Sequence, residues 1–443
     1  MINRFTRSAL VLASAAAIAA APLLGASSAS ASSAGLPPGT QFFVPHIADG
    51  AQAQIAQLTR SGDKTDAALI RDEVSTPQAV WFTGGSPKQV QQQVRQVAQE
   101  AAGKRTVPTL VVYNVPGRDC SQYSSGGASS DAAYRTWADG FASGLTHQQR
   151  VVVIVEPDGL ANLPADCPGA YTNPGTYPNP APGTATAGRI ADIAYAAKVI
   201  GASDPNALVY LDAGNSAWHN VGDITRRLED AGVASTQGFS LNVSNYQWSA
   251  NSNSYGTWIS DCIAYTTTVK VGDFGSCGDQ YWSGGPANNW QGVALDSARQ
   301  WSSTAADPTA NTAGIDSRYA SELAGTAATT HFVVDTSRDG QGPWTPPAGK
   351  YTGDPQTWCN PPGTGLGARP DAHPSTAFPL LDANLWVKTP GESDGQCNRS
   401  VSGSTTDPEW GGITDPAAGA WFPQAALQLA QHAAPAFDGT TRH

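Results

Sequence analysis

The tightest constraint on this chain is Val151–Val155 (VVVIV), followed at once by Glu156, Pro157, Asp158 and Gly159. Five consecutive β-branched residues suit a strand buried on both faces, which means a parallel sheet covered by helices. Pro157 and Gly159 then end the strand abruptly, because proline lacks the ladder donor and glycine bends freely. Asp158 is thereby presented just past the strand's C-terminal end, where parallel α/β barrels carry their chemistry. It has a second reading as the N-cap of a helix beginning with Leu160-Ala161-Asn162. The other strands decide between the two.

Short apolar runs alternate with helix-compatible segments along the chain. Strands are predicted at Ala79–Phe82, Thr109–Val115, Val151–Val155, Ala207–Leu211, Gly238–Val243, His331–Val334 and Ala383–Val387. Helical patterns between them include Pro87–Ala102, Ala132–Leu145, Ala187–Ile200 and Ile224–Ala231. This alternation predicts an α/β fold built on a parallel sheet. Each strand delivers a polar or aromatic group at the same end: Trp81, then Tyr113 with Arg118 and Asp119, then Asp158, Asp212, Asn242 with Asn245, Asp335, and finally Lys388, Glu392 and Asp394. Any one of these could be a turn former, and Asp212 and Asp335 could each simply cap or bridge loops. A shared rim of acids, amides and Trp is harder to explain as turns alone. Trp386 and Trp421 alternate with core residues and are expected to be packing. Two stretches, Cys167–Ala185 and Tyr246–Pro286, read as loops, and long ordered insertions on such a rim shape clefts.

The first residues separate export from chemistry. Residues 1–31 hold a short basic start (Arg4, Arg7), an apolar run from Ala9 to Leu24 and a small-residue Ala29-Ser30-Ala31 site, the pattern of a secretory signal peptide. Residues 32–443 are then expected to form one catalytic domain, secreted and extracellular. No later run is long enough for a membrane span. Taking Arg4 and Arg7 from the 25 basic residues leaves 23 against 36 acidic ones, a balance of −13 that argues against a nucleic-acid partner. Thirteen Trp, 46 Gly and 32 Pro with only 14% charged residues describe a loop-rich chain with many flat aromatic faces, which suit neutral sugars.

Six cysteines (Cys120, Cys167, Cys262, Cys277, Cys359, Cys397) in an exported chain imply disulfides, with fifteen possible connectivities. None forms a CxxC pair, and the seven histidines lack HExxH spacing, so no metal site is expected. There is no Gly-x-Ser-x-Gly elbow and no phosphate-binding glycine loop, which argues against serine hydrolysis and nucleotide cofactors; no cofactor is expected. Several carboxylates in an uncharged, Trp-rich cleft remain. Glycoside hydrolysis needs that set: one protonated acid, one carboxylate handling water, and aromatic faces for pyranose rings.

The motifs also resemble glycoside hydrolase family 6, the cellulases. The matching pieces are Tyr113–Cys120 (YNVPGRDC), Val155–Asn162 (VEPDGLAN), Tyr210–Trp218 (YLDAGNSAW), Asn242–Tyr246 (NVSNY), Asp335–Gly340 (DTSRDG), Trp358–Asn360 (WCN) and Val387–Gly395 (VKTPGESDG), spanning about Trp81 to Phe437 in family order. The resemblance implies a distorted, incomplete, seven-stranded parallel β/α barrel and inverting hydrolysis of β-1,4-glucan. It implies that Asp158 is the general acid, that Asp119 keeps that acid protonated, and that Asp394 is the base with Lys388 as partner. Tyr113 and Ser125 match positions that shape the reacting sugar's site and hold water. Trp81, Trp218 and Trp358 match sugar platforms, Lys388 and Glu392 sugar hydrogen-bonding groups, and Asp212 and Asn242 further cleft residues. The resemblance pairs Cys120 with Cys167 and Cys359 with Cys397; Cys262 and Cys277 lie in an insertion, and their proximity suggests a third pair. Asn215 stands where many members have His. Cellulose or soluble β-1,4-glucan is the expected partner of a monomeric enzyme. An endoglucanase is favoured over a cellobiohydrolase because Cys397 ties down the loop after Asp394. A non-catalytic glucan-binding protein, or a hydrolase of xyloglucan or mixed-linkage glucan, would also fit the fold.

Overall fold

All five residues of Val151–Val155 are buried, and their strand (β3) lies inside the sheet, paired on both sides. A computed structural model describes residues 35–145, 150–167, 182–281 and 293–437. The strands are β1 (Val80–Phe82), β2 (Thr109–Val112), β3, β4 (Ala207–Asp212), β5 (Gly238–Leu241), β6 (His331–Asp335), β7 (Asp371–Ala372) and β8 (Leu381–Leu385), in spatial order β1-β2-β3-β4-β5-β6-β8-β7. Every neighbouring pair is parallel except β7 with β8. The seven expected strands are thus joined by one two-residue antiparallel edge. The sheet curls until Ala79 N–H donates to the carbonyl of Trp386 at 2.9 Å. No ladder joins β1 to β8 among the described residues, so the barrel is incomplete at that seam.

Side chains alternate across the strands. Val153 and Val155 join Leu110, Val112, Val209, Leu211 and Phe239 under the helices, while Val152 and Ile154 meet Val111, Leu208, Tyr210, Val333 and Leu385 inside the barrel. The outer layer contains α1 (Asp49–Ser61), α2 (Lys64–Ser75), α3 (Pro87–Lys104), α4 (Asp131–Ala142), α5 (Pro182–Ser203), α6 (Val221–Asp230), α7 (Ser249–Ala264), α8 (Ala313–Glu322) and α9 (Pro423–Gln431). Helix α3 shows why such segments are helical. Ser86 and Gln89 form a capping box, Pro87 sits at the first turn, and Val90, Val94, Ala98 and Ala101 make one buried stripe.

Two strands stop short of their apolar runs where a carboxylate takes backbone donors just beyond the strand end. Glu156 accepts from the N–H groups of Asn114 and Val115, so β2 ends at Val112 rather than Val115. Asp335 accepts from Val387 and Lys388, so β8 ends at Leu385. The Tyr246–Pro286 stretch is not a loop throughout, because α7 occupies its first half. Its buried face carries Asn251, Ser252, Ser254 and Gly256, which hide the apolar period. Asn251 there donates to the carbonyls of Ser297 and Arg299, Ser260 donates to that of Thr330, and a Cβ at Gly256 would strike Phe332. Helix α5 likewise begins at Pro182, inside Cys167–Ala185, whose residues 168–181 lie outside the described residues, as does 1–31.

Candidate active site

A cleft of about 570 Å³ opens at the C-terminal ends of the strands, lined by residues that include Trp81, Tyr113, Asp119, Ser125, Asp158, Trp218, Trp358, Lys388, Glu392 and Asp394. Asp158 sits on a tight turn after β3, with Glu156 (φ 52°) and Asp158 (φ 66°) both in the left-handed region. For non-glycine residues that is a strained arrangement. Glu156 is clamped by the donors described above, and Asp158 N–H donates to Asp212 Oδ1 at 2.8 Å. No helix follows directly, and Asp158 takes Asn162 N–H on its backbone carbonyl, so the N-cap reading fails.

The Asp158 carboxyl has little to stabilise a charge. Its Oδ1 is buried and accepts no hydrogen bond among the described residues. Burial, then the nearby Asp212, Asp119 and Asp394, push its pKa well above the usual carboxylate range. Asp212 is also pushed up by burial, to about 7, but accepts from Asp158 N–H, Gly214 N–H and Ser240 Oγ. Those three donors favour the anion of Asp212, whereas Asp158 Oδ1 has no donor among the described residues, so of the two Asp158 holds a proton more readily. Asp119 is pushed up to about 6 by burial against a 2.6 Å hydrogen bond from Ser124 N–H.

Asp394 is built the opposite way. Burial would raise it, but Arg338 and Lys388, the Asn360 N–H and the Tyr246 hydroxyl outweigh that and hold its carboxyl below the ordinary value. Arg338 Nη1 lies 2.9 Å from both oxygens, Tyr246 donates at 3.0 Å, and Lys388 Nζ is 3.7 Å away. Asn360 grips both ends of the residue, accepting from Asp394 N–H on its own Oδ1 and donating its backbone N–H to Asp394 Oδ2. Burial in turn lowers the pKa of Lys388.

The aromatic wall is fixed by edges. Trp81 donates its indole N–H to the carbonyl of Val387 at 2.8 Å and meets Tyr113 edge-on at 5.3 Å. Arg118 lies over the Tyr113 ring at 4.7 Å, and Trp358 faces Tyr123 at 5.9 Å. Gly214 holds φ 69°, and a Cβ there would press on Trp218. Ser125 stands exposed at the cleft mouth in the same loop as Asp119.

Two expected substrate contacts are corrected. Asp212 and Asn242 are only 1% and 0% exposed and lie behind the cleft wall. Asp212 holds the Asp158 turn, and Asn242 donates to the carbonyls of Asp335 and Gln247 while accepting from Gln247 N–H. Asp335 likewise bridges loops, accepting from Ser244, Ser337, Val387 and Lys388 N–H. Asn215 is 1% exposed and spends its Oδ1 on Ala217 N–H. Sequence reasoning gave no role to Arg338, Tyr246, Asn360 or Tyr123. The signal for Arg338 was an arginine three residues past a strand in a chain of low charge. The cysteines pair as Cys120–Cys167, Cys262–Cys277 and Cys359–Cys397. Cys262 and Cys277 are buried in the outer helical core rather than at the cleft.

A parallel barrel whose strand ends set a carboxyl pushed toward its neutral form (Asp158) near one pulled toward its anion (Asp394), between tryptophan faces, has the groups that glycoside hydrolysis needs. Residues 38–433 match glycosyl hydrolases family 6, and the chain belongs to that family. It is 31% identical over 397 residues to Endoglucanase A of Cellulomonas fimi, covering 89% of this chain and 62% of that protein. It is 30% identical over 347 residues to the probable 1,4-beta-D-glucan cellobiohydrolase C of Neosartorya fischeri, covering 74% of this chain and 62% of that protein. The endoglucanase Cel6 of Mycobacterium tuberculosis, solved with a thio-linked cellobioside derivative, superposes with a TM-score of 0.59 at 29% identity, covering 89% of this chain and 97% of that one.

Proposed function

We propose that the protein is a secreted, monomeric, inverting hydrolase of β-1,4-glucan that cuts chains internally. The observation that carries this is the contrast between Asp158, buried with an unpartnered oxygen, and Asp394, held ionised by Arg338, in one tryptophan-lined cleft. Asp158 donates its proton to the glycosidic oxygen as the bond to the anomeric carbon breaks. Water attacks that carbon from the opposite face and gives up its own proton on the Asp394 side. Asp119 keeps Asp158 protonated by adding a like charge, and Asp212 orients it through the turn. Trp81, Trp218 and Trp358 supply faces for pyranose rings, with Lys388 and Glu392 as hydrogen-bonding partners, Tyr113 shaping the reacting sugar's site and Ser125 holding water.

Internal cutting is supported by how the loop after Asp394 is stitched down. Arg399 donates to the carbonyls of Gln356, Cys359 and Asn360 and pairs with Asp407, next to the Cys359–Cys397 disulfide. These contacts tie the loop to the Gln356–Asn360 segment, and it meets the cleft through Ala418 and Gly419. Proton NMR of early products on soluble glucan should show the α-anomer; β-anomer would reject inversion. The viscosity of carboxymethylcellulose should fall quickly with few reducing ends released. Constant viscosity while cellobiose accumulates from crystalline cellulose would establish the cellobiohydrolase reading instead.

A further inference from the structure

The incomplete barrel leaves an opening beside the cleft. Between β1 and the chain that follows β8, where one backbone hydrogen bond replaces a ladder, lies a second cavity of about 250 Å³. It shares Trp81 and Glu392 with the cleft, so those two side chains stand between the two spaces. One wall carries Thr389 and Glu392, on a strap held in place by the Glu392–Trp421 bridge and by hydrogen bonds from Ser393 N–H to the carbonyl of Ala420 and from Phe422 N–H to that of Gly391.

We propose that this seam cavity binds one further glucosyl unit of a glucan chain running past Trp81. The inference rests on the glucanase reading above and extends it. The lining suits a neutral sugar: Trp421 and the exposed Ile47 give apolar faces, and Thr389 and Glu392 give hydrogen-bonding edges, while Gln78 spends its amide nitrogen on the Glu73 carbonyl and His46 pairs with Glu100. Trp421 spends its indole N–H on Gln54 Oε1 at 2.7 Å, so what it can offer a ligand is carbon surface. Glu392, at the junction, accepts no hydrogen bond on its carboxylate among the described residues and faces both cavities. A carboxylate accepting from two sugar hydroxyls is the recurrent way a protein fixes a pyranose against an aromatic face. A chain occupying this cavity extends beyond the platform of Trp81 on that side, which suits internal cutting.

The test uses full-length Asp158→Asn protein, which binds without turnover, and calorimetric titration with cello-oligosaccharides of increasing length. Ala48 lines the cavity at the exposed start of α1 and makes no side-chain cap, so Ala48→Trp plugs the space without removing a helix contact. Affinity should stop rising one glucosyl unit earlier in the plugged protein. The longest ligands should lose about fivefold to tenfold, the worth of roughly one net hydrogen bond with some apolar contact, and the shorter ones nothing. Thr389→Val, which keeps the shape and removes one hydroxyl, should weaken only the longest ligands, by about threefold. An unchanged plateau in both variants would overturn the inference while leaving the glucanase reading intact. Failure of the parent protein to bind any cello-oligosaccharide would overturn both.

Discussion

Arg338 places a single nitrogen 2.9 Å from both carboxylate oxygens of Asp394, while its other terminal nitrogen donates to the carbonyl of Ser244. Arg338 is buried and the Asp394 side chain is only 9% exposed, so the pair cannot be treated as a surface ion bridge. Removing one side of such a pair commonly costs about 3–5 kcal/mol, because the other charge is stranded.

Arg338→Lys tests what this pairing does for chemistry. Arg338 helps depress the Asp394 pKa, and a depressed carboxylate loses its contribution as pH falls through its folded value. Lysine lacks the fork that reaches both Asp394 and Ser244, so the Asp394 pKa should rise. The acidic limb of the kcat profile should move to higher pH, with kcat down by about tenfold or more. An unmoved acidic limb would separate Asp394 from the rate.

Asp158→Asn should lower turnover on unactivated glucan by about 10²–10⁴-fold, since an amide cannot supply the proton. The sign of its effect on stability is opposite. A carboxyl whose folded pKa is raised contributes stability that is complete below its unfolded value, near 3.9, and is lost as pH rises through the folded one. The variant should therefore melt higher than wild type at pH 7–8 and converge with it near pH 4. Thermal scans across that range check the direction, and an equal or lower melting point at pH 8 would contradict the burial argument.

Asp119→Asn removes one of the like charges that raise Asp158. Asp158 should then lose its proton at lower pH, drawing the alkaline limb of the kcat profile toward acid. Because Asp119 itself sits at about 6, the difference between variant and wild type should shrink below that pH. A pH series on soluble glucan reads both effects; an alkaline limb that stays in place would mean that Asp119 serves binding alone.

The disulfides should separate by location. Replacing Cys262 and Cys277 with serine should lower stability by about 2–4 kcal/mol and leave kcat near wild type, because both lie in the outer core. Replacing Cys359 and Cys397 should lower kcat as well, since Asn360 and Asp394 flank that bridge and hold one another. Equal kinetic effects of the two pairs would argue against a positioning role for Asn360.

Much of the architecture was legible because strand burial is written in composition. Val151–Val155 can be little else, and the alternation of such runs with capped segments such as Ser86–Gln89 implies a parallel sheet. Strand ends were harder, since Glu156 and Asp335 end their neighbours from across the sheet, and a contact of that range leaves no local pattern. Helix α7 is hard to read in the sequence because its first two turns bury Asn251, Ser252, Ser254 and Gly256 ahead of Trp258, Ile259 and Cys262, which breaks the apolar period. The cleft acids could be read from their position after strands. Whether an acid faces substrate or supports its neighbour could not, and Asp212 and Asn242 fall on the supporting side.

The turn at Glu156 and Asp158 also bears on how such a chain can change over generations. Two left-handed non-glycine residues store about 1–3 kcal/mol each, and the buried carboxyl that Asp158 carries adds to the burden on folding. Selection for heat tolerance alone would favour relaxing this turn, yet each replacement that does so either frees the Asn114 and Val115 donors or loses the proton source. Heat-adapted descendants that still turn over glucan should therefore carry their stabilising changes in the outer helices and surface loops, with this turn left as it is.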